Sequence, residues 1–582
     1  MVADRHHRAY QLPSIDRVAV VRYIFWFFAA VMIVRLGVLQ ILQHASVVEV
    51  IDQRQKLQSV LPQRGEISIL NEHGTQEVPI AFAQTIATIF AVPEEITQDK
   101  KEEIAKQISE ILTLDTNETV EKLSRTGTQF VPLARRVLPE VVDRIEQNQW
   151  KGIYFDRTPG RVTVDGTLMG QIAGFVRADE SRLTGQYGIE EYYNKELSGH
   201  SGWEHLLRDG NGRLIPLPGG TSEKAQDGLN IVLTIDRSIQ YQTCMALQRG
   251  VEAHQAVGGS AIVINPQTGE IRALCNVPSF DPNNYASVKN PRDYNNATIV
   301  DAYEPGSVMK VFTMAGGLEH ALVTTETTFV DSGSVTFGPH TIHNAANKTY
   351  GQQSMVGVLK ESINTGAVFV AQKLGKDLFK EFIEGMKFGV ATGVELPYEH
   401  AGNLRSLNEN GFIYTATASF GQGITVTVLQ LAQALSAIAN GGTLISPTII
   451  KEFRTPSGLV LSRPIQKRTT VMSATTSTLI GGMMVQVVEE GHSKGAAVPG
   501  YYIAGKTGTA QIAAQGARGY SGAYNHTFIG FGPIENPKFT IVVRIVNPKA
   551  LYAESTAVPV AGEIEKFLIS YDRIPPTRTI GQ

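Results

Sequence analysis

The chain has 582 residues, with 52 Lys and Arg against 55 Asp and Glu for a formal net charge of -3 and 42% hydrophobic residues. That length suits two or more domains with cores of their own, and the near balance of charge argues against nucleic acid as the main partner. There are two cysteines, Cys244 and Cys275, without His or Cys at metal-ligand spacing around them, so no zinc site is expected. Two buried thiols are the expected state, with a single disulfide as the alternative outside the cytoplasm.

In chain order, the first predicted element is an apolar helix. Residues 18–42, VAVVRYIFWFFAAVMIVRLGVLQIL, are long enough to cross a bilayer, with Tyr23 and Trp26 placed as interfacial aromatics. Arg22 lies near one end, while Arg35 has to snorkel or meet a partner helix. Arg5, Arg8 and Arg17 precede the segment, which predicts a cytoplasmic tail over 1–17 and the bulk of the chain outside. A cleaved signal peptide is the competing reading, but no small-x-small site follows the apolar run.

Residues 43–225 mix polar strand-like runs with helical stretches such as EEIAKQISEILTL, and PLPGGTSEKAQDG at 216–228 reads as a linker. Beyond it, GLNIVLTIDRSIQYQTCMALQRGV reads as strand then helix, and GGSAIVINPQTGEIRALCNV as two strands joined by a turn. Helical runs dominate to about residue 440, before YYIAGKTGTA and FTIVVRIV return to strand. The expectation is an α/β domain over 226–570 with a mainly antiparallel sheet and an inserted helical region, then a tail over 571–582.

Three short motifs carry the chemistry. In YEPGSVMK the Pro-Gly turn places Ser307 at a helix start, and Lys310, three residues on, shares its face and can reach the hydroxyl. The positive end of the helix dipole favours a neutral amine there, able to take the serine proton. Alone, a Ser/Lys pair on a helix is more often solvated surface. Ser362 and Asn364 stand at a break between helical runs in KESINTGAVFV, where a plain helix cap is the bland reading.

Lys506, Thr507, Gly508 and Thr509 end the strand YYIA. GYYIAGKT also fits the Gly-x-x-x-x-Gly-Lys-Thr phosphate loop, but its four intervening residues are strand-like and no helix start follows. As a strand, Gly508 leaves room for a substrate backbone to pair along the edge. The cationic Lys506 with the Thr507 and Thr509 hydroxyls suits a carboxylate, and the Ser307 and Thr509 N–H groups suit an oxyanion.

Ser-x-x-Lys, Ser-x-Asn and Lys-Thr-Gly in this order form the set known from β-lactamases and penicillin-binding proteins. The chain resembles the class B penicillin-binding proteins, monofunctional peptidoglycan D,D-transpeptidases. RGEISILNEHG at 64–74, GQYGIEEYYNKELSGHSG at 185–202, TIDRSIQ, PSFDPNNY, FGQGITVTVLQLAQALSAIANGG and GKTGTAQ also carry the resemblance. The resemblance implies a transmembrane helix at 18–42, a non-catalytic α+β pedestal over 43–225, and a transpeptidase domain with a five-stranded antiparallel sheet and a helical subdomain.

It further implies that Lys310 activates Ser307 and that Ser362 relays the proton. Asn364 would orient Lys310 and the substrate amide, while Lys506, Thr507 and Thr509 hold the terminal carboxylate of a D-Ala-D-Ala stem peptide. β-Lactams would be trapped at Ser307, with no cofactor or metal. The closing IVVRIVNPKALYAESTAVPVAGEIEKFL is most similar to the septal member, implying a membrane glycan polymerase and other division proteins as partners. An elongation-specific enzyme is the runner-up. A D,D-carboxypeptidase or β-lactamase is disfavoured by the long pedestal, and a β-lactam receptor by the short tail. Leu70-Asn71 stand where many members have Asp-Arg, and Ile363 where a second serine is common.

Overall fold

The computed structural model describes residues 16–42, 55–71, 74–179, 182–208, 214–216, 222–514 and 519–579. Most of the expected cytoplasmic tail, with Arg5 and Arg8, and residues 217–221 of the expected linker lie outside the described residues. The chain divides into two compact units, Met1–Pro62 with His200–Gln226, and Gln63–Gly199 with Asp227–Gln582.

The first unit contains helix α1 (Arg17–Gly37), continued by a π-helical turn over Val38–Leu42. The Asp16 side chain accepts from the Val18 N–H at 3.0 Å, satisfying a donor that a helix start leaves open. The run Arg17–Ile41 is 25 residues with a mean hydropathy of 2.1, and none of α1 is buried against protein. At about 1.5 Å per residue it exceeds the ~30 Å of a hydrocarbon core. The unit also holds a small sheet in which Gln55–Val60 and Ser222–Glu223 flank Gly202–Arg208, all antiparallel.

Within the second unit a seven-stranded sheet combines early and late segments. Ile67–Asn71 pairs antiparallel with Gln76–Ala91 and parallel with Asn230–Asp236, which pairs in turn with Ile450–Arg454. Arg64 and Arg161 both reach the buried Glu190 carboxylate, at 2.5 and 2.6 Å, tying the Arg-Gly segment to GIEEY.

The five-stranded sheet carries the site. Its strands are β1 (Gly258–Ile264), β2 (Ile271–Val277), β3 (Ala504–Ala513), β4 (Tyr520–Gly532) and β5 (Phe539–Val546), in the order β2-β1-β5-β4-β3, antiparallel throughout. Successive strand residues point to opposite faces, so continuous apolar runs imply a sheet covered on both sides. Ala261, Val263, Phe528, Ile541 and Val543 pack in the cluster that includes Leu247 of helix α2 (Arg237–Ala253), and Ile564 and Leu568 of the C-terminal helix Ala557–Tyr571. Ile262, Ile264, Ile529 and Val542 join the opposite cluster, with Leu431 and Leu435 of the helix Val428–Ala439. The result is the expected α/β domain with an antiparallel sheet, here covered by helices on both faces.

Cys244 on α2 and Cys275 on β2 form a disulfide, S–S 2.00 Å. The expected pair of thiols is thereby corrected to the alternative. The helix lies on the face to which Cys275 points, which brings together two residues that local pattern kept apart.

Candidate active site

The turn that carries Ser307 begins at Tyr303, whose N–H and carbonyl pair with Val426. Gly306 has φ +63, a conformation costly for residues with a Cβ, and its N–H donates to the Gly421 carbonyl at 3.1 Å. A Cβ on Gly421 would lie 2.2 Å from the Gly306 oxygen, so the FGQG segment forms the floor beneath the turn. Glu304 accepts from the Gly423 N–H at 2.9 Å and from the Tyr520 hydroxyl at 3.2 Å. Neither role was visible in the sequence, where FGQG had only its resemblance to mark it.

Ser307 lies half-buried in the 3-10 turn Gly306–Val308, which runs straight into helix α3 (Met309–Glu319). Lys310 in its first turn is 1% exposed. Its Nζ donates to the Ser362 carbonyl at 2.5 Å and to the Ser362 Oγ at 3.3 Å. No hydrogen bond joins it to Ser307, which differs from the sequence expectation: at this depth the carbonyl is the stronger acceptor within reach. Burial pushes the Lys310 amine well below its ordinary value, with the Lys506 charge adding to the shift. The neutral amine expected from a helix dipole is favoured here by desolvation first.

Ser362 has φ +57, a left-handed conformation costing a side-chain-bearing residue about 1 kcal/mol or more. It sits between the helix Met355–Lys360 and helix α4 (Asn364–Gly385), and this twist turns both its carbonyl and its hydroxyl toward the lysines. Asn364 is half-buried, and its Nδ2 donates to the His343 carbonyl at 2.8 Å, not to a group of Lys310.

Lys506 on β3 is fully buried, donating to the Ser362 Oγ at 3.0 Å and to the Thr507 carbonyl at 2.9 Å. Burial pushes its amine down to about 7. Thr507 is buried beside it, while the Thr509 Oγ1 accepts from the Ala553 N–H at 3.3 Å. Gly508 has a tighter role than the expected room for substrate. A Cβ there would come within 2.8 Å of the Pro305 oxygen and 3.1 Å of Val308 Cγ1, so its smallness lets β3 press against the turn that carries Ser307. Ser307, Lys310, Ser362, Lys506 and Gly508 are thus brought into one cluster from a turn, a helix junction and an edge strand. Among the described residues no group of three His, Cys, Asp or Glu side chains could hold a metal.

Residues 259–566 match the penicillin binding protein transpeptidase domain, and residues 59–233 the penicillin-binding protein dimerisation domain. The chain belongs to the penicillin-binding proteins. With a dimerisation domain before the transpeptidase domain, it is of class B. Stage V sporulation protein D of Bacillus subtilis is 32% identical over 514 residues, covering 86% of this chain and 77% of that protein. The peptidoglycan D,D-transpeptidase FtsI of Buchnera aphidicola is 29% identical, covering 95% and 94%. A crystal structure of a peptidoglycan synthetase from Bifidobacterium adolescentis superposes with a TM-score of 0.69 at 28% identity, over 91% of this chain and 99% of that one. Membership of this family carries with it an interaction with β-lactams and peptidoglycan stem peptides, and α1 fits a single-pass anchor.

Proposed function

We propose that this penicillin-binding protein is a D,D-transpeptidase working through an acyl-enzyme on Ser307. The observation that carries the reading is the meeting of Lys310 and Lys506 on the Ser362 hydroxyl, with Ser307 three residues before Lys310 at the start of the same helix. The neutral Lys310 Nζ takes the Ser307 proton as Oγ attacks the carbonyl between the two D-alanines. Ser362, within reach of Lys310, passes that proton to the leaving D-Ala amine as the peptide bond breaks and the ester forms. The amine of a second stem peptide then attacks the ester, its proton returning to Ser307 as the cross-link closes. Lys506, Thr507 and Thr509 hold the terminal carboxylate, the N–H groups of Ser307 and Thr509 hold the oxyanion, and Asn364 holds the substrate amide.

Exposure of the full chain in detergent to penicillin, followed by mass spectrometry, tests this directly. The adduct is expected on a peptide containing Ser307, and Ser307→Ala should abolish labelling while the protein stays folded. An adduct on Ser362 would sink the mechanism.

In the cell we place the enzyme in septal wall synthesis, anchored by α1 with the catalytic domain outside the cytoplasmic membrane and docked on a membrane glycan polymerase of the division machinery. The high coverage of the FtsI relative and the resemblance of the C-terminal segment support this. Depletion from a rod-shaped host should give filaments with blocked septa. Rounded cells would favour an elongation role, and a defect confined to spores would follow the sporulation relative instead.

A further inference from the structure

Helix α4 starts without a local cap: Ile363 precedes it and offers no side-chain acceptor to the open N–H groups of the first turn. The Thr365 N–H is instead accepted by the Asn344 Oδ1 at 3.1 Å, from 21 residues upstream. Asn344 is itself held: its Nδ2 donates to both oxygens of Asp331, at 3.0 and 2.9 Å, and to the Lys348 carbonyl at 3.0 Å. Asp331 also accepts from the Thr365 Oγ1 at 2.6 Å, the Tyr350 N–H at 2.7 Å and the Gly333 N–H at 2.9 Å. Asp331, Asn344 and Thr365 are all buried. Burial pushes the Asp331 carboxyl up, but the donors from Thr365, Gly333, Tyr350 and Asn344 outweigh it and hold the group below its usual value. The neighbouring His343 carbonyl takes the Asn364 amide.

The geometry points to Asp331 and Asn344 as positioning residues for the Ser-x-Asn motif, a remote cap that replaces the one Ile363 cannot supply. A left-handed Ser362 persists only if both flanks over-determine it. On the upstream side the helix Met355–Lys360 closes with the Ile363 N–H on the Val358 carbonyl at 2.9 Å. On the downstream side that constraint is the anchored first turn of α4. Loss of the anchor would let Ser362 relax and draw its hydroxyl away from Lys310 and Lys506, although no atom of Asp331 or Asn344 takes part in the chemistry. This inference rests on the acyl-enzyme reading for what Ser362 and Asn364 do.

The test measures penicillin acylation of the full chain in detergent, separating the initial binding constant from the acylation rate constant and scoring only molecules that label to completion. Asn344→Ala is expected to slow acylation about tenfold with binding nearly unchanged, because a misplaced proton relay costs rate and not carboxylate affinity. Adding Ile363→Ser should restore most of the rate by supplying a local cap. Thr365→Val, which keeps volume and deletes one hydroxyl, should slow the same constant several-fold and stands in if Asn344→Ala fails to fold. Unchanged rates in Asn344→Ala or Thr365→Val, or a fully labelling double variant that stays slow, would overturn the inference. Failure of the wild-type chain to label at Ser307 at all would instead overturn the acyl-enzyme reading beneath it.

Discussion

Lys506 donates to the Ser362 hydroxyl at 3.0 Å, which makes a serine from a helix junction the bridge between an edge-strand lysine and Lys310 on α3. Two amines so close and so buried cannot both hold protons cheaply, and this sets a division of labour. Lys310 is pushed well down, by burial first and by the Lys506 charge second, while burial lowers Lys506 to about 7 and leaves it the better placed of the two to carry the charge.

A pH dependence of binding follows. In the free enzyme Lys506 is cationic below about 7 and loses its proton above it, so the affinity for an anionic β-lactam should weaken by up to about tenfold per pH unit on the alkaline side. Lys506→Arg stays cationic and should give a flat profile, while Lys310→Arg keeps charge but cannot accept a proton and should lose acylation by several orders of magnitude. Stopped-flow acylation between pH 6 and 9 separates the constants; equal losses in both variants would contradict the roles assigned.

Gly508→Ala should slow acylation by roughly ten- to a hundredfold with a nearly native melting curve. The added methyl meets the Pro305 backbone oxygen, which cannot swing aside as a side chain could, so β3 and the catalytic turn must separate by a few tenths of an ångström. Penicillin labelling kinetics beside thermal melting check this.

The disulfide should matter for stability and not for chemistry. Closing a span of 31 residues restricts the unfolded chain by roughly 3–4 kcal/mol. Cys244→Ala with Cys275→Ala should therefore lower the melting temperature by several degrees and leave the acylation rate of folded protein unchanged.

Glu565, on the C-terminal helix, is fully buried and neither carboxyl oxygen has a hydrogen-bond partner among the described residues. Burial pushes its carboxyl well above the ordinary value, so the folded protein holds this proton more tightly than the unfolded chain. Its contribution is greatest below about 4.5 and is lost as pH rises toward the folded value, at up to about 1.4 kcal/mol per pH unit. Glu565→Gln should remove that slope, so its stability relative to wild type should rise from pH 4.5 to 7 in denaturation curves.

Much of the architecture was legible because strands such as β1 and β5 carry apolar runs and the three motifs are short and ordered, whereas β4, YSGAYNHTFIGFG, has no such run. What stayed hidden depends on tertiary contact. Nothing local tells that Lys310 turns to Ser362, since that bond spans 52 residues and needs the left-handed serine. Gly508 was read as space for substrate, whereas the Pro305–Val308 turn already crowds the place of its missing Cβ. Asp331 and Asn344 carry no motif at all, and where the sequence allowed a plain cap at Ser362 and Asn364 the structure has the uncapped Ile363.

Strand β3 is the last of its sheet, and an end strand presents unpaired N–H and C=O groups to any extended chain that drifts by. Such edges seed aggregation when left open. Here the Pro305–Val308 turn is packed on the face of the strand at Gly508, beside the edge given in our reading to the stem peptide. On that reading, what pairs along the edge has to pass beside this turn, which a stem peptide ending in alanines does more readily than a second copy of β3. The turn we propose to deliver the nucleophile therefore also crowds the approach of a second strand to β3.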